Sequence, residues 1–101
     1  MDIKQLAQEL ELEEDDCEEL LDLFIETVAA DINRMKVALQ NGNAPALMCA
    51  AHSLKGAASN FNFTDISDTA AEIEKNALEN NLETMSTWIY LLETLFNAVS
   101  S

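Results

Sequence analysis

Glycine occurs only twice and proline only once in the 101 residues. A chain this poor in both has few places to turn. It also has no glycine-rich stretch of the kind that cradles nucleotide phosphates. Bases are scarce as well: five Lys and Arg stand against 19 Asp and Glu, a formal net charge of −14. Binding to a phosphate backbone needs a basic surface, so nucleic acid is excluded as a partner, and anionic membranes are disfavoured on the same ground. No apolar run approaches the ~18 residues of a membrane span. The opening MDIKQLAQEL is amphipathic and lacks a basic start followed by an apolar block, so no signal peptide is expected and the chain reads as cytoplasmic. The two cysteines, Cys17 and Cys49, form no CxxC pair and are read as small buried or half-buried thiols. Strands are not expected, because the β-branched residues are scattered and never alternate.

Hydrophobic residues nevertheless make up 49% of the chain, enough to build a core, and residues 1–101 are read as one domain. The densest acidic stretch, ELEEDDCEELLD (Glu11 to Asp22), carries eight carboxylates in twelve positions. It has no EF-hand pattern of alternating ligands about a central glycine. Acids oppose the positive end of a helix dipole, so the stretch reads as a solvated helix start. Further breaks fall at QNGNAP, where Gly42 closes one helix, Asn43 caps the next and Pro45 sits in a first turn. Others fall at NFNFTD, with Thr64 as the expected cap, and at ENNLET, with Asn80 closing and Asn81 capping.

Between the breaks the apolar period is helical. Leu21, Ile25, Val28, Ile32, Met35 and Leu39 step by four and three, as do Leu47, Ala51, Leu54, Ala58 and Phe61. Ile66, Ala70, Ile73 and Ala77 repeat it, followed by Met85, Ile89, Leu92, Phe96 and Val99. Four long segments with short links must run antiparallel to their neighbours. The expected fold is all-α: an up-down antiparallel four-helix bundle with a short N-terminal helix over Ile3 to Leu10 capping one end. Leu20 and Phe24 widen the stripe of the first long helix and are expected to lie beneath the short one.

The chain's single histidine, His52, follows the core residue Ala51 by about 100° of helix, which places it at the margin of the bundle. Its same-face neighbours are Met48, Cys49, Lys55, Gly56 and Ser59. Gly56 is an odd choice, since glycine inside a helix costs about 0.5–1 kcal/mol relative to alanine; close approach of a second molecule is one reason to tolerate it. Counting back across the Gly42–Asn43 joint puts His52 level with Asn33 and Arg34, so Arg34, Lys36 and Lys55 are expected to gather near it. Nucleophilic catalysis needs an orienting acid or an oxyanion hole, and the sequence shows neither. A metal needs more ligands than Cys49 and His52 supply. What remains is an exposed imidazole acting as a nucleophile toward phosphorus, with an ammonium nearby to offset phosphate charge.

AHSLKGAASNFNF, residues 51–63, resembles the signature of histidine-containing phosphotransfer (HPt) domains, which runs A-H-x-L-K-G-small-small-x-x-apolar-G. Ala51, His52, Leu54, Lys55, Gly56, Ala57, Ala58 and Phe61 match it, and Asn62 stands where the family has glycine. The leading helix, the long acidic helix, the NGNAPAL joint and AAEIEKNALENN also have family counterparts. The resemblance implies that His52 accepts a phosphoryl group on Nε2, that Lys55 supports its charge and that Gly56 leaves room for a partner. Arg34, Met48 and Ser59 complete the expected binding face. The implied partners are receiver domains of response regulators or hybrid histidine kinases, which bring Mg2+; the chain itself is expected to need no cofactor, to be a monomer and to be a carrier rather than an enzyme. The alternative is a helical module that docks to receivers without phosphate.

Overall fold

The computed structural model describes residues 2–100 and forms five helices: α1 (Ile3–Glu9), α2 (Glu14–Gln40), α3 (Ala44–Asn60), α4 (Thr64–Leu78) and α5 (Met85–Ser100). At 1.5 Å rise per residue, the 27 residues of α2 span roughly 40 Å. That length sets the long dimension of the molecule, whose extents are 42 × 19 × 18 Å.

One device ends each of the first four helices. A residue in the left-handed region (Glu11, Gly42, Asn62 and Asn80, with φ of 57°, 63°, 60° and 55°) turns the chain out of the helix. The following amide then donates to the carbonyl five residues back: Leu12 to Ala7, Asn43 to Ala38, Phe63 to Ala58 and Asn81 to Asn76. Gly42, Asn62 and Asn80 are the residue types that tolerate this backbone best; Glu11 has no such preference. The Asp2 carboxylate caps α1, accepting from the Lys4 amide at 3.0 Å, and the Asn43 side chain caps α3, accepting from the Ala46 amide at 3.1 Å.

Two expected caps are corrected. Thr64 is the first residue of α4, and Phe63 takes the cap position without a side-chain bond. Asn81 does not cap α5, which begins only at Met85; its side chain turns back to donate to Asn76 at 3.3 Å. Both errors arise because a left-handed closure fixes where one helix ends, while the length of the following link is set by packing.

Helices α2 to α5 close a ring in which each packs on the next and α5 returns to α2. Val28, Met35, Leu47, Leu54, Ile73, Met85 and Leu92 are fully buried at its centre. These are the residues of the predicted stripes, and burying each large aliphatic side chain contributes about 1.5–3 kcal/mol. At one end α1 covers a second small core of Leu6, Ala7 and Cys17, flanked by Leu21, Phe61 and Phe63. Phe24 is buried in the main core, with its ring centroid 5.0 Å from Phe61 and 5.2 Å from Phe63. Leu20 is 44% exposed, so α1 does not lie over it as the stripe suggested; α1 crosses one turn earlier, over Cys17.

Candidate functional site

His52 projects from the middle of α3, with Ala51 and Leu54 beside it wholly buried and its own side chain 70% exposed. Its Nδ1 lies 2.6 Å from Oε2 of Glu74 on α4, and the other oxygen of the same carboxylate accepts from Lys55 Nζ at 2.7 Å. A carboxylate only accepts hydrogen bonds, so Nδ1 carries the proton and donates it. In the neutral ring, Nε2 is then the nitrogen that keeps its lone pair.

This overturns the expectation that no orienting acid is present. His52 stands eleven positions before Phe63 and Glu74 eleven after it, so the two are level across the α3–α4 joint. The level-counting that linked His52 to Arg34 across one joint finds Glu74 across the other. The hydrogen bond from the Lys55 ammonium, opposed by partial burial and reinforced by His52, holds the Glu74 carboxyl below the ordinary carboxylate range.

Met48, Cys49, Ser53 and Glu74 line the open cleft around the imidazole. Along the helix, Gly56 is exposed, and a Cβ built there would meet nothing within 4 Å. Nothing among the described residues therefore requires glycine at this position. Ser59, the next expected contact residue, lies 3.2 Å from the Ser67 hydroxyl, which in turn donates to the Lys55 carbonyl at 3.4 Å.

The expected basic cluster is only partly formed. Lys36 points away and pairs with Glu93 of α5 at 2.7 Å, because it lies round α2 from Arg34. Arg34 does reach the level of His52, through the buried Asp31: the guanidinium donates to Asp31 Oδ1 at 2.8 Å, and the hydroxyl of Ser53, next to His52, donates to Oδ2 at 3.1 Å. His52, Lys55 and Glu74 thus form one hydrogen-bonded unit. Met48 borders it, Gly56 and Ser59 extend its exposed side, and Arg34 flanks it from α2.

The site can hold an imidazole in one orientation and one tautomer, close to an ammonium, on a surface open to a large partner. A family model described as the Hpt domain matches residues 19–101. A comparison with curated proteins gave no significant match. Among solved structures, the crystal structure of histidine-containing phosphotransfer protein B (HptB) from Pseudomonas aeruginosa PAO1 matches with a TM-score of 0.86 and 32% identity. That match covers 98% of this chain and 86% of the other. With the motif on an exposed turn of a matching five-helix fold, the chain belongs to the Hpt domain family of histidine-containing phosphotransfer domains.

Proposed function

We propose that this protein carries a phosphoryl group on Nε2 of His52, taking it from an aspartyl phosphate of one receiver domain and passing it to the aspartate of another. The observation that carries this reading is the Glu74 carboxylate on Nδ1. In the forward step the Nε2 lone pair attacks phosphorus, and the bond from phosphorus to the aspartate oxygen breaks with its electrons leaving on the carboxylate. The imidazole, now substituted at Nε2 and still protonated at Nδ1, becomes cationic. Glu74 is already placed to balance that charge without reorganisation. The transfer to the next receiver is the reverse step at a different aspartate.

Lys55 supports the charge on the phosphoryl group, for which it exchanges its bond to Glu74. Gly56, Ser59, Met48 and Arg34 form the docking face on either side. The Mg2+ that assists such transfers we place in the receiver; the chain's own contribution is position and electrostatics, the style of catalysis expected for phosphoryl transfer. The chain acts as a monomeric carrier in the cytoplasm and has no ATP chemistry of its own.

Acetyl-phosphate-charged receivers, tested as a panel, should transfer label to this protein. The His52→Gln variant should take up none, and Lys55→Ala should take it up more slowly while melting as a folded bundle. Receiver binding with no label transfer across the panel would instead identify a phosphate-independent docking module.

A further inference from the structure

Asp31 is the one charged side chain buried among the described residues, at 2% exposure. Burying a carboxylate is unfavourable unless it is paired, and a well-packed apolar residue in its place is commonly as stable or more so. Stability therefore does not explain it, and its two partners suggest what does. Oδ2 accepts from Ser53, the residue after the phosphoacceptor, and Oδ1 accepts from Arg34. Asp31 and Ser53 each lie eleven positions from Gly42, on opposite sides of the joint, so this contact ties α2 to α3 at the level of His52. Glu74 ties α4 to α3 at the same level from the other side.

Arg34 is held at one nitrogen only, and its side chain stays 67% exposed. A guanidinium has five N–H donors in a rigid fork, so most of that fork is available to a second molecule. It lines a groove of roughly 560 Å3 between α2 and α3, two of whose other walls, Cys49 and Ser53, also wall the His52 cleft. The two concavities adjoin. The ammonium groups of Lys36 and Lys55 are each engaged by a carboxylate at 2.7 Å. A chain of net charge −14 repels any acidic partner at long range, and a domain bearing an aspartyl phosphate is such a partner.

We infer that Arg34 is the docking cation that grips a carboxylate on the receiver's surface beside its phosphorylated aspartate, and that Asp31 is the positioning residue that aims it; this rests on the phosphocarrier role proposed above. A guanidinium already fixed by a buried carboxylate loses little freedom on binding and matches a carboxylate at two points. Its effect falls on docking and not on the chemical step.

The test is the rate of label transfer from the most active receiver of the panel, measured against receiver concentration at low and high salt. Arg34→Gln, whose amide can still donate to Asp31, should raise the half-saturating receiver concentration about five- to twentyfold. It should leave the maximal rate within about twofold of wild type, and its deficit should shrink at high salt, where the Arg34 charge is screened. Arg34→Lys should recover part of the loss. Asp31→Asn should shift the same parameter less, and the double variant should be no worse than Arg34→Gln alone. Thermal melts of each variant confirm that the bundle is intact. Label on His52 with an unchanged half-saturating concentration in Arg34→Gln overturns the docking role while leaving the carrier function in place. A fall in maximal rate alone also overturns it. Additive effects of the two substitutions overturn the positioning role of Asp31. Label that persists in His52→Gln instead overturns the carrier function itself.

Discussion

Replacing Gly56 by alanine should stabilise the free protein, although the position belongs to the family motif. The residue lies inside α3, its backbone is not in the left-handed region, and an added Cβ meets no atom within 4 Å. Only the intrinsic helix preference then operates, worth about 0.5–1 kcal/mol in favour of alanine. For a domain of this size about 1 kcal/mol moves the melting temperature by about 4–8 °C, so the expected rise is about 2–8 °C. Far-UV circular dichroism on heating measures it. A large side chain separates the two roles of the position: Gly56→Phe has open space in the isolated chain and should fold, yet it should slow transfer from a receiver by about tenfold or more, because it occupies the partner's approach. A drop in melting temperature for Gly56→Ala would refute the claim that the position is open. Wild-type transfer by Gly56→Phe would refute the claim that a partner comes close there.

Three further outcomes follow from the same geometry. Glu74→Gln keeps an acceptor for Nδ1–H but loses the charge, and should slow transfer by about 10- to 100-fold, by analogy with the loss seen when the partner that orients a metal-bound histidine is altered. Glu74 also sets a pH dependence. Its folded pKa lies below the ordinary value of 4.5, so the unfolded chain binds the proton first. The stability it contributes is present above about pH 4.5 and is lost as the pH falls through the folded value, so acid titration should show wild type losing its advantage over Glu74→Gln as the two converge at the acid end. The thiols should divide by burial. Exposed Cys49 should react with a maleimide in the folded protein and block transfer, since it walls the His52 cleft. Buried Cys17, whose thiol pKa is pushed up by burial, should react only on unfolding, as peptide mapping of the adducts would show.

The bundle was legible because its core residues recur at helical spacing without interruption; Leu47, Ala51, Leu54 and Ala58 are all wholly buried. Three joints were legible from the glycine or asparagine that takes the left-handed position; the first was legible only from the acidic run that opens α2, because Glu11, which turns the chain there, carries no preference for that backbone. The cap expected at Asn81 failed because the link before α5 is set by how Leu82 and Met85 pack on the core, a tertiary effect. His52, Lys55 and Gly56 could be grouped from the sequence because they share one helix face. Glu74 and Asp31 were missed because each meets α3 from a different helix, and nothing in the local pattern of an acidic chain marks two carboxylates among 19. The expected cluster of bases failed at Lys36 for a simpler reason: level along a helix says nothing of direction around it, and Lys36 faces α5.

The central claim is that Glu74 holds Nδ1 of His52 and so reserves Nε2 for phosphorus. Nitrogen-15 NMR of the protein after charging by a phosphorylated receiver tests it directly. A single phosphohistidine is expected at His52, substituted at Nε2, with the Nδ1 proton still present and protected by its hydrogen bond. Phosphate on Nδ1, or on any residue other than His52, would contradict it.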